Sequence, residues 1–148
     1  MKKNKFSKNW IIKQKRDIYV KKSKLEGYRS RAVYKLEEIN AKFKLIKNNN
    51  LVIDLGAAPG SWSQYISRNF NNSKIISIDL KDIEPIKNLV HIKGDFTEER
   101  NKKSIQNYFG KKVDLIISDM AVNTTGNKSV DSLVTGELCI DAMNFAVE

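Results

Sequence analysis

From Leu51 onward the chain carries four short apolar runs, each with an acid at or near its end. They are Leu51-Val-Ile-Asp54-Leu, Ile75-Ile-Ser-Ile-Asp79, Val90-His-Ile-Lys-Gly-Asp95 and Val113-Asp-Leu-Ile-Ile-Ser-Asp119. Such runs, rich in Ile, Leu and Val and bounded by turn residues, predict buried strands. Between them the apolar spacing changes to that of amphipathic helices, predicted over residues 30–43, 62–70 and 98–109. A last helix, capped by Asp131 or Ser132, runs towards Glu148. Strands alternating with helices predict an α/β domain built on a mostly parallel sheet. In the first helix Ala32, Val33, Leu36, Ile39 and Phe43 form the apolar stripe, and Asn48-Asn-Asn50 turns the chain into the first strand. Lys35 falls at the stripe's margin, roughly 75° from its centre at about 100° per residue, where a lysine can border a cleft or extend into solvent.

The turn after the first strand carries the chemistry. In open α/β sheets ligands bind beyond the carboxyl ends of the strands, where small residues let backbone approach the ligand and the next helix begins. Gly56, Ala57, Ala58 and Gly60 supply that room. The dinucleotide spacing G-x-G-x-x-G is absent: Ala58 takes the second glycine position and Pro59 stiffens the turn, so a ligand that needs no phosphate cradle fits better. About twenty residues on, Asp79 ends the second strand where a carboxylate can hold ribose hydroxyls. Asp95 and Asp119 end the next two in the same way, and three such acids line one edge with acceptors. Taken singly, each could be only a helix cap.

These residues sit in longer segments that resemble the FtsJ-like ribose 2′-O-methyltransferases, which act on large-subunit ribosomal RNA with S-adenosylmethionine. The resemblance runs from Trp10 to the last residue, through Asp17-Ile-Tyr-Val20, Gly27-Tyr-Arg-Ser-Arg-Ala-Val-Tyr-Lys35-Leu-Glu-Glu-Ile39, Asp54-Leu-Gly-Ala-Ala-Pro-Gly-Ser-Trp-Ser-Gln64, Gly94-Asp-Phe96 and Ser118-Asp-Met-Ala121. It implies a Rossmann-like S-adenosylmethionine-dependent methyltransferase fold that here stops before its last strands. It also implies that Gly60 and Trp62 line the methionine end of the cofactor, Asp79 the ribose, Asp95 the adenine end and Asp119 the region beside the transferable methyl. Lys35 and Asp119 would be two members of the family's Lys-Asp-Lys-Glu catalytic set, whose second lysine and glutamate lie further along the family's chain than Glu148.

A length of 148 residues suits one domain, here a basic arm over residues 1–24 followed by the methyltransferase domain over 25–148. Apolar runs are too short for a membrane span or a signal peptide, which predicts a cytoplasmic protein. Cys139 is the only cysteine, so no internal disulfide can form, and its place among Leu138, Ile140 and Ala142 predicts a core thiol. His91 is equally solitary and reads as a packing residue in a strand, with no metal site expected.

Net charge of +10 gains meaning from its distribution: residues 1–50 hold 16 Lys and Arg against 4 acids (+12), and residues 51–148 hold 11 against 13 (−2). A basic segment beside a ligand-binding sheet suits a polyphosphate partner, which the resemblance identifies as ribosomal RNA of the large subunit. Trp10, Tyr19 and Tyr28 lie among these cations, either to stack on unpaired bases or to anchor the segment on the domain.

The reaction implied by the resemblance is attack of a ribose 2′-hydroxyl on a sulfonium methyl, which asks the protein to align two atoms and help remove a proton. A lysine beside an aspartate is held in its charged form, so Lys35 next to Asp119 would orient the hydroxyl, leaving the base to the second lysine. Two departures from the family pattern bear on precision: Val122 replaces the proline of Asp-Met-Ala-Pro-Asn, and Ser61 replaces a second glycine after Gly60. The rival readings are a remnant that binds cofactor and RNA without methyl transfer, the same chemistry on transfer RNA, and, from the sheet alone, a nicotinamide-dependent oxidoreductase.

Overall fold

Strand β1 (Leu51–Leu55) is buried at every position, as a strand covered by helices on both faces must be. It lies at the centre of a four-stranded sheet in a computed structural model that describes residues 17–121 and 125–147. The other strands are β2 (Lys74–Asp79), β3 (Leu89–Lys93) and β4 (Leu115–Ser118), in the order β3-β2-β1-β4 and all parallel. The register pairs Asp54 with Ser77 and Leu55 with Ser118, so the carboxyl ends of all four strands meet along one edge. This is a Rossmann-like α/β sheet, as the strand–helix alternation predicts.

Alternation along β1 and β2 divides the core in two. Val52 and Ile75 face helices α2 (Val33–Phe43) and α3 (Ser61–Asn69), packing with Leu36, Trp62, Ile66 and Ile117. Ile53, Leu55, Ile76 and Ile78 face the other way, onto Phe96 and onto Ile105 of α4 (Glu99–Phe109). Helix α5 (Lys128–Val147) closes that second side by resting Leu138, Ala142 and Phe145 on the same cluster. Phe145 meets Phe96 edge-on at 6.0 Å between ring centroids.

Several elements differ from their sequence expectation. Helix α2 begins at Val33, three residues late, and its stripe rotates: Tyr34 and Asn40 are buried while Phe43 is exposed. Asn40 is recruited inward because its Oδ1 accepts the Ile46 amide at 2.9 Å and stops the loop that leads to β1. Helix α5 begins at Lys128 with Asn127 as its cap, accepting from the Ser129 and Val130 amides. Asp131 instead folds back onto the amides of Thr125 and Gly126, which holds its carboxyl below the usual carboxylate range. Cys139 is exposed, contrary to the expectation of a core thiol, because α5 docks only through the face that carries Leu138, Ala142 and Phe145.

The basic segment is helical where it is described. Helix α1 (Ile18–Leu25) is capped by Asp17, whose Oδ1 accepts from the Tyr19 and Val20 amides and whose Oδ2 takes Arg31 at 2.5 Å. Tyr19 and Tyr28 both pack against Tyr34, at 5.5 and 6.4 Å between centroids, so these rings anchor the segment to α2. Trp10 and Val122 lie outside the described residues. No described helix is long and apolar enough to cross a membrane.

Candidate active site

The parallel sheet delivers its strand-end acids to one place. Asp79 closes β2, Asp95 follows β3 after Gly94, and Asp119 follows β4; all three line a cleft of about 430 Å³. Gly56, Ala58, Leu80, Lys81, Phe96, Met120 and Leu138 are among the other residues of its wall. Its lining combines apolar side chains with three carboxylates, the chemistry of a site for a ligand with an apolar face and hydrogen-bond donors. A second cavity of similar size, about 450 Å³, lies beside β4 among Ile105, Phe109, Ile116 and Phe145. It holds none of the strand-end acids, and chemistry, not volume, selects the first.

Two glycines make the cleft possible. Gly56 has φ +70°, and a Cβ there would stand 1.9 Å from Met120 Cγ, so the methionine that floors the cleft can lie against bare backbone only. Gly60 has φ +95° and caps α3 without any side-chain acceptor. Asp79 ties the intervening turn down: Oδ2 accepts the Ala58 amide at 2.9 Å and Oδ1 the Lys81 amide at 2.8 Å. Each oxygen keeps a further lone pair for a ligand hydroxyl. Asp95 is steadied through Oδ1, which accepts the Thr97 amide and hydroxyl at 2.9 and 2.7 Å. Buried Asn101 holds the same loop by donating to the Asp95 carbonyl at 2.7 Å.

At the mouth of the cleft Lys35 of α2 forms an ion pair with Asp119. The lysine side chain remains 60% exposed and the aspartate 31%, so the pair stays accessible to solvent. Lys35 Nζ also stands 5.8 Å from the centroid of the Trp62 ring. Trp62 itself is buried and outside the cleft wall: its Nε1 donates to the Ala32 carbonyl at 2.8 Å, fastening α3 to the start of α2. Gly60 is also absent from that wall, and a Cβ built on it would point towards Arg29, Ile83 and Ile86. The structure therefore brings Asp79, Asp95, Asp119 and Lys35 together and places Gly60 and Trp62 in the support behind them.

One acid that the strand pattern displays, but sequence reasoning assigns no site role, is Asp54. It is wholly buried on the α3 side of β1, where Ser63 Oγ donates to its Oδ2 at 2.7 Å. Burial pushes its carboxyl up to about 7, opposed by the Ser63 hydrogen bonds and assisted by the charges of Asp119 and Asp79. An acid in a strand covered on both faces is itself a signal, because it must find a partner inside. Among the described residues no cluster of His, Cys, Asp or Glu is arranged to hold a metal ion.

Comparison with known proteins matches residues 28–148 to the model of the FtsJ-like methyltransferases. The chain belongs to that family. It is 59% identical, over its full length, to ribosomal RNA large subunit methyltransferase E of Pelagibacter ubique, of which it spans 73%. It is 48% identical over 96% of its length to the enzyme of the same name from Rickettsia akari, and spans 65% of that protein. Among solved structures it is similar to a crystal structure described as a ribosomal RNA methyltransferase from Plasmodium falciparum. The TM-score is 0.72 and the identity 38%, covering 80% of this chain and 70% of that one. In this FtsJ-like chain the matched span takes in every residue of the cleft.

Proposed function

We propose that this chain carries the cofactor site and the first half of the catalytic set of an enzyme that 2′-O-methylates a uridine ribose in large-subunit ribosomal RNA, in the cytoplasm, using S-adenosylmethionine. The observation that carries the reading is the Lys35–Asp119 pair at the mouth of an acid-rimmed cleft. The residues that line the cleft suit the cofactor: Asp79 would accept from ribose hydroxyls, Asp95 would hold the adenine end, and the Asp119 carboxylate would stabilise a cationic sulfonium. When bound, S-adenosylmethionine supplies a methyl on a cationic sulfur, a good leaving group.

What the protein does is position. Lys35 donates through its ammonium to the incoming 2′-hydroxyl oxygen, and Asp119 fixes the direction of that ammonium. Trp62, braced on the Ala32 carbonyl, keeps its ring 5.8 Å from the Lys35 ammonium.

Calorimetry with S-adenosylmethionine, followed by radiolabelled methyl transfer to large-subunit particles and to purified transfer RNA, tests the reading. Saturable cofactor binding together with methyl transfer to the particles supports it. Absence of cofactor binding overturns it, and transfer confined to transfer RNA moves the substrate.

A further inference from the structure

We infer that Arg29 is a positioning residue that clamps the two loops flanking the cofactor cleft, and that Gly60 is glycine in order to admit it. The planar guanidinium spans two backbone carbonyls that nothing in the sequence relates: Nη1 donates to Pro59 O at 3.0 Å and Nη2 to Pro85 O at 3.1 Å. Pro59 lies in the turn between β1 and α3, which carries Gly56 and Ala58 of the cleft wall. Pro85 lies in the segment that leaves β2 after Asp79 and carries Leu80 and Lys81 of the cleft wall. On the cleft side these two loops meet through the Asp79 carboxylate and the Ala58 amide. On the outer side they meet through Arg29. The spacing of the walls is thus fixed from both sides, and only one of the two ties is available to a ligand.

Geometry at Gly60 makes the second half of the inference. A Cβ at this position would stand 2.7 Å from Arg29 Nη1 and 3.2 Å from Ile86 Cδ1. Any side chain there would force the guanidinium to shift off its two carbonyls, apart from the strain that φ +95° imposes on an L-residue. Arg29 is itself held in place: its amide donates to Gln64 Oε1 at 3.1 Å, and Gln64 Nε2 donates to the Gly27 carbonyl at 3.0 Å. Arg68, one turn along α3, donates to the carbonyls of Glu26 and Gly27 at 3.0 and 2.9 Å. The segment carrying Arg29 is therefore fastened to the helix that the glycine turn opens, and the clamp is preorganised. A lysine could reach one carbonyl with its single head group, but not both in the plane of a fork.

The inference rests on the cleft being the S-adenosylmethionine site, and the test separates the two. Cofactor affinity is measured by calorimetry for the unaltered chain, Arg29→Ala and Arg29→Lys, with thermal unfolding alongside. Ethylguanidinium and ethylammonium are then added to the Arg29→Ala protein. The clamp predicts a loss of roughly tenfold for Arg29→Ala, a smaller loss for Arg29→Lys, and recovery with ethylguanidinium alone. If Arg29→Ala does not fold, the loss in Arg29→Lys decides. Unchanged affinity in the folded variants, or equal recovery with both additives, overturns the clamp while leaving the cofactor site in place. An unaltered chain that binds no cofactor instead overturns the reading of the cleft.

Discussion

Asp54 and Ser63 form a buried pair beneath the glycine turn, the serine hydroxyl donating to the carboxylate at 2.7 Å. Gly60, at the cap position of α3, has no side chain with which to accept a helix amide. Asp54 takes over from the neighbouring strand, accepting from Ser63 and placing a carboxyl near the positive end of the helix.

This pair makes stability depend on pH. The Asp54 carboxyl titrates at about 7 when folded, against 3.8 in the free side chain, so the folded state holds its proton more tightly. The contribution is fully present below the unfolded value and is lost as pH rises through the folded one. Stability should fall between about pH 4 and pH 7, by a few kcal/mol at most. Asp54→Asn keeps an acceptor for Ser63 and removes the titration. Denaturant unfolding at a series of pH values should show the downward slope in the unaltered chain relative to the variant; parallel profiles would count against a raised Asp54.

Asp79→Ala should weaken S-adenosylmethionine binding by about 1.5–3 kcal/mol through loss of charged hydrogen bonds to the ribose. The same change frees the Ala58 amide, so Asp79→Asn, which keeps one acceptor, should lose less. Calorimetry on both variants checks the order, and an unchanged affinity in Asp79→Ala removes the residue from the site.

Lys35→Ala should leave cofactor affinity nearly unchanged and lower methyl transfer. The fold should lose no more than about 1 kcal/mol, because the Lys35–Asp119 pair is largely exposed. Single-turnover transfer measured beside cofactor titration separates the two effects. Undiminished transfer would show that the pair is a surface contact only.

Lys21 and Lys24 lie on exposed positions of α1. Replacing both with serine should weaken RNA binding and reduce the slope of log affinity against log salt by up to about 2, near one for each phosphate that is no longer neutralised. Titration of a large-subunit RNA fragment at several salt concentrations measures the slope; equal slopes would refute an electrostatic role for this helix.

Strand and helix order was legible because apolar runs and helical spacing are local properties, and a buried parallel strand announces itself by continuous Ile, Leu and Val. The convergence of Asp79, Asp95 and Asp119 followed from topology alone: parallel strands carry their terminal residues to one edge. The Gly-Ala-Ala-Pro-Gly turn and the Arg-Ser-Arg-Ala-Val-Tyr-Lys segment pointed to the family.

Tertiary structure decided the rest, because partners distant in sequence are chosen by packing. Which way the Trp62 indole N–H points depends on the Ala32 carbonyl at the start of α2, a partner thirty residues away in sequence. Cys139 is exposed because α5 touches the sheet along one face, which no count of apolar neighbours on the helix reveals. Arg29 reads in the sequence as one more cation of a basic segment. Only the fold brings the Pro59 and Pro85 carbonyls within reach of one planar guanidinium, and that juxtaposition gives the residue its role.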